Sequence, residues 1–188
     1  MDNTSNTLVL FNEWLSFAGN RSVVECEFFN LDKILIEELL GEFSSTRLRP
    51  FGKHASGSLF CFYVDETGPS VNSPIAWIDS EGAPCIVISN NFGEFLSILG
   101  YGSGLIYTVA AAIENNLGSD NLLGIAEERV SKSASDLLLE AKQRFLDLDS
   151  FIDWLGVHTI LLSDEPVKRI VNAHIMNPDL TTWINSNL

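Results

Sequence analysis

The spacing of apolar positions changes several times along the chain, and each change marks an element. The plainest pattern lies between Pro74 and Gly100. Ile75 and Trp77, then Ile86 and Ile88, alternate with their neighbours as two half-buried strands do. Between them, Asp79-Ser80-Glu81-Gly82 supplies a tight acidic turn whose glycine tolerates the left-handed conformation of a hairpin. Asn91, with Glu94 three residues on, forms a capping-box-like start. Phe92, Phe95, Leu96 and Leu99 then follow at helical spacing. The predicted unit is strand, turn, strand, helix.

Patterns on either side extend this reading. Residues 1–7 are a polar start. Leu8, Phe11, Trp14 or Leu15, and Ala18 predict an amphipathic helix closed by Gly19. Asn30 is placed to cap a second helix, Leu31 to Phe43, with an apolar face through Ile34, Leu35 and Leu39. Thr46 to Phe51 reads as a strand or loop limited by Pro50, and Ser58 to Val64 as an aromatic-rich central strand before a turn at Asp65 to Pro69. Beyond the 74–100 unit, the glycines at 100, 102 and 104 make a helix-to-helix connection. It leads to a helix from Leu105 to Leu117 stopped by Gly118. One longer helical pattern spans Leu122 to Leu146. Three short helices end the chain: Phe151 to Leu155, Val167 to Ile175 with Pro166 in its first turn, and Leu180 to Ile184.

A length of 188 residues fits one domain, or one domain with a helical extension, and 46% apolar content supplies a sizeable core. Charge sharpens the picture, because the chain carries a net −14. The excess is concentrated: residues 61–130 hold nine carboxylates and a single base, Arg129. Such a field repels nucleic acid and anionic membrane and steers basic partners. Three cysteines without C-x-x-C spacing suit a reducing compartment, Cys61 and Cys85 reading as small core residues. The N-terminal stretch lacks the basic start of a signal peptide, and no run reaches the ~20 apolar residues of a membrane span. A cytoplasmic protein is expected.

Candidate chemistry adds little. His54, His158 and His174 are far apart, and none has a metal-ligand partner at i+3 to i+5. The Gly100–Gly104 cluster lacks the third glycine of a dinucleotide fingerprint, where Tyr107 stands, and has no Gly-Lys-Ser/Thr. Ser103 is not a nucleophile elbow, because position 101 is tyrosine. Trp77, Trp154 and Trp183 sit among aliphatics and read as packing residues. The carboxylate pairs Asp65/Glu66 and Asp79/Glu81 fall in turns expected to face solvent, where they suit partner contact better than acid–base work. No cofactor, no metal and no enzymatic activity are expected.

Several of these segments resemble the SUKH superfamily of Smi/Knr-like immunity proteins. The resemblance is carried by SLFCFYVDETG at 58–68, Pro74-Ile75-Ala76-Trp77 leading into Asp79-Ser80-Glu81-Gly82, the strand Cys85 to Ile88, and S-N-N-F-G-E-F-L at Ser89 to Leu96. It continues through Trp154-Leu155-Gly156, D-E-P at 164–166 and Pro178 to Trp183, so that it spans residues 8–188 as a single domain. The resemblance implies an α+β fold, a mainly antiparallel sheet with helices packed on it and a helical C-terminal part. It also implies a non-enzymatic role, binding and neutralising a polymorphic bacterial toxin. Many such toxins are nucleases with basic substrate surfaces, which an acidic inhibitor is suited to occupy. The contact residues expected from charge are Asp65, Glu66, Asp79 and Glu81, with Asp120, Glu127 and Glu128 as a second acidic patch. Two other readings stand beside this one: a scaffold or regulatory protein-binding domain of the same fold, and a small hydrolase using an acid pair. The hydrolase would need two close carboxylates with raised pKa values in a deep pocket.

Overall fold

The computed structural model describes residues 4–19, 23–29, 47–64, 69, 72–80 and 85–178. Five strands, β1 (Cys26–Phe28), β2 (Leu48–His54), β3 (Leu59–Tyr63), β4 (Ile75–Ile78) and β5 (Cys85–Ser89), form an antiparallel meander in chain order. Helix α1 (Thr4–Ala18) precedes the sheet. After it come α2 (Phe92–Leu99), α3 (Ser103–Glu114), α4 (Leu122–Val130), α5 (Ala134–Arg144), α6 (Leu148–Val157) and α7 (Pro166–Met176). The class is α+β, with the helices gathered in the C-terminal part.

Strands β4 and β5 are not half-buried: every residue in both is buried. Their alternation separates two apolar faces rather than an apolar face from a polar one. Ile75, Trp77, Ile86 and Ile88 enter the main core, together with Phe51, Phe60, Phe62, Phe92 and Phe95. The other face, of smaller residues such as Ala76, Cys85 and Val87, joins Leu48, Leu59 and Cys61 in a second cluster that includes Ala173 of α7.

Proline 50 does not end its strand. β2 runs through it to His54, and the register with β3 shifts between Pro50 and Gly52. A proline, having no N–H to offer a ladder, is tolerated at such a bulge. Phe51, at the irregularity, is fully buried: its ring lies 4.5 Å from that of Phe62 and edge-on to Phe11, Phe92 and Phe95. Trp14 does the same for α1, meeting Phe28, Phe151 and Trp154 with centroids 4.9, 5.0 and 5.3 Å away.

Helix boundaries differ from the sequence pattern: the helix expected over Phe151–Leu155 runs Leu148–Val157, that over Val167–Ile175 gains a residue at each end, and three differences are larger or bear on the site. α1 starts at Thr4, inside the polar stretch, and α3 runs from Ser103 to Glu114. The long pattern from Leu122 to Leu146 is two helices. Ser131, at φ 52°, ends α4, and Ser133 caps α5 by accepting the Asp136 N–H at 3.2 Å. Apolar periodicity survives that break, so it alone could not reveal it. The expected helices over 31–43 and 180–184, the 65–68 turn and Trp183 lie outside the described residues.

The start of α2 follows its sequence signal with one change. Asn91 Oδ1 accepts the Glu94 N–H at 2.9 Å, but Glu94 Oε2 returns to Asn90, accepting from its N–H at 2.7 Å and Nδ2 at 2.9 Å. The second Glu94 oxygen accepts from Arg169 on α7 at 3.2 Å, so one carboxylate caps α2 and ties it to α7. Among the described residues no single helix is long and apolar enough to cross a membrane. α2 and α3 would suffice only together, and they meet at a 109° bend.

Candidate partner-binding surface

Asp120 lies just before α4, and Glu127 and Glu128 lie on it. Leu122 and Ala126 turn inward, which leaves Asp120, Glu127 and Glu128 exposed. Their charges are uncompensated: none takes an ion pair among the described residues. Other acids do, as in Glu140–Lys132 at 2.6 Å, Asp149–Lys142 at 2.6 Å and Glu25–Arg144 at 2.7 Å. Glu127 also borders a cleft of about 600 Å³ between the α4–α5 break and the start of α7. Asp136, Asp164 and Glu165 share that cleft with Lys132 and Lys168, leaving it net negative. Glu128 borders a second cleft of about 550 Å³ with Asn115, Asn116 and Arg129.

Asp79 departs from the expected open turn. It is half-buried, and Ser58, itself buried, donates its hydroxyl to Asp79 Oδ2 at 3.3 Å. Asp65, Glu66 and Glu81, the other turn acids, lie outside the described residues.

Sequence reading missed Glu114. One of its oxygens, Oε1, is buried without a hydrogen-bond partner. Burial first, and then the charge of Asp79, push its carboxyl up to about 7. Its place in the last turn of α3 adds to the cost, since a helix C-terminus disfavours negative charge. Cys85 shares the locality: burial, followed by the Glu114 charge, raises its thiol well above the ordinary range. Asp79, just past β4, and Glu114, at the end of α3, thus set like charges within reach of each other, and neither carboxylate lines the two clefts bordered by α4.

The remaining candidate groups are held by packing. Cys26, Cys61 and Cys85 are buried free thiols, each raised chiefly by desolvation and therefore poor nucleophiles. His54 stacks on Tyr107 at 6.0 Å and bonds through Nδ1 to Ser56 at 2.8 Å, while burial lowers its pKa. His158 sits 4.0 Å over the Trp154 ring and 3.4 Å from Glu13. His174 is buried, with Nδ1 unpartnered and its pKa lowered by desolvation. Among the described residues no group of three or more His, Cys, Asp and Glu side chains is arranged to hold a metal ion.

No family model matches the chain, and neither a curated protein nor a solved structure matches it.

Proposed function

We propose that this protein is an immunity protein, a stoichiometric inhibitor that binds and neutralises a toxin domain with a basic surface. The observation that carries the reading is the exposed, unpaired carboxylate set at Asp120, Glu127 and Glu128 in a chain of net charge −14. The SUKH-like segments agree with it, and so does an α+β fold that offers a helical surface beside the sheet. Unpaired surface carboxylates contribute little to the stability of their own molecule and keep their full charge for a partner. Complementary charge then raises the association rate by orders of magnitude, which suits capture of a toxin before it acts.

The test starts from the gene next to the one encoding this chain. A toxin domain encoded there is expected to arrest growth when expressed alone and to be tolerated when co-expressed with this protein. The triple variant Asp120→Lys, Glu127→Lys, Glu128→Lys should lower the association rate at least about tenfold and flatten its dependence on salt. An unchanged rate and salt slope would remove α4 from the interface, and failure of the wild-type chain to protect would remove the immunity reading.

A further inference from the structure

A third cleft lies on the molecule where α3, α4 and α5 converge, with a volume of about 260 Å³. Leu105, Val130, Leu137, Ala141 and Phe145 supply an apolar side to it, facing a polar side that includes Tyr101 and Thr108. Its charged lining is opposite in sign to the rest of the chain: Arg129, Lys132 and Arg144 surround it with Glu140 as the one acid. That places three of the chain's eleven bases at one small opening. Two of the three are already occupied by carboxylates. Lys132 donates to Glu140 at 2.6 Å, and Arg144 clasps Glu25 from Nε at 3.2 Å and from Nη2 at 2.7 and 2.8 Å. The Arg129 side chain has no hydrogen-bond or ion-pair partner among the described residues, and it stands on the last turn of α4, beside the apolar wall.

We infer that this cleft binds a small amphipathic monocarboxylate, its carboxylate on Arg129 and its hydrocarbon body against Leu105, Leu137 and Phe145. A guanidinium with all its donors free matches a planar carboxylate two bonds at a time. One free cation suits a monoanion better than a doubly charged phosphate, since the neighbouring cations are already engaged. The apolar walls give the binding energy of burial to a ligand with a hydrocarbon body and none to a bare ion. Gly104, in the first turn of α3, lines the cleft, and a Cβ built there meets no atom within 4 Å. A side chain at position 104 would therefore extend into open space at the cleft.

Octanoate is the probe, titrated into the full chain by calorimetry with octanol, acetate and inorganic phosphate as controls. Octanoate is expected to bind with a dissociation constant of about 0.1–1 mM, the range set by its size. Arg129→Gln should weaken it at least about tenfold by removing a charge-assisted pair. Gly104→Leu should abolish binding by filling the cleft. Its melting temperature should be equal to or above wild type, because leucine is the better helix former. Absence of octanoate binding to the wild-type chain would overturn the inference. So would octanol or phosphate binding as tightly, or a folded Gly104→Leu protein that still binds octanoate. Arg129 adjoins Glu128, so Gly104→Leu, which leaves every charge in place, separates the two readings: loss of octanoate binding with toxin neutralisation intact is its expected outcome.

Discussion

Gly102 satisfies two constraints that no other residue type satisfies together. Its backbone sits at φ 85°, ψ 151°, a region closed to side chains, and a Cβ there would lie 2.5 Å from the Phe145 ring. Gly118 has nearly the same φ, 86°, but open space around it. Replacing each by alanine separates backbone strain from steric overlap. Gly102→Ala should destabilise by about 1–3 kcal/mol or more and Gly118→Ala by less, read as a shift in urea midpoint at unchanged m-value. Equal losses would mean that the Phe145 ring moves aside without cost. The sequence marked these glycines as punctuation between helices. It gave no sign that Phe145, more than forty positions away, closes over one of them.

Elements were legible where a local rule decides them. Asn91 and Glu94 announced α2, and Pro166 announced α7, because caps and first-turn prolines act within a few residues. Pro50 misled for the opposite reason: whether a proline ends a strand depends on whether the partner strand supplies a bulge, and only the β2–β3 register shows that. The break between α4 and α5 did have a local sign, Ser133 before Asp136, which the continuing apolar spacing masked. Ser133→Ala should therefore cost about 0.5–2 kcal/mol, with the loss visible in the amide exchange of α5 before that of α3. Uniform loss across both helices would show that the two unfold as one unit. Burial of β4 and β5 on both faces was also present in the sequence, as alternation of large with small apolar residues. That alternation also fits half-burial, since nothing nearby signals that Ala173 packs on the second face.

At the scale of the molecule, buried titratable groups pull stability in opposite directions with pH. Glu114 rises from an ordinary 4.5 to about 7 on folding. A raised carboxyl stabilises the folded state below its unfolded value, and that contribution is lost as pH climbs through about 7. His174 is lowered from 6.5 by desolvation, so its contribution is full above 6.5 and is lost as pH falls through the folded value. Glu114 thus pulls stability down as pH rises from 4.5 to about 7, while His174 pulls it up as pH rises towards 6.5. Glu114→Gln should raise stability at pH 8, leave it near wild type at pH 4.5 and flatten the slope between, as thermal melts across that range would record. A parallel curve for the variant would mean the carboxyl is solvated in the folded protein. This coupling was invisible in the sequence because Asp79 and Glu114 meet only when the end of β4 is brought to the end of α3.

The three thiols give the sheet its own reporters. Cys26 stands on β1, Cys61 on β3 and Cys85 on β5, one on every second strand, and all three are buried. A thiol-specific reagent can reach each sulfur only when its strand lifts away from the layer covering it. The order in which the three become labelled under native conditions is therefore the order in which the sheet comes apart, read from one chain with no substitution made.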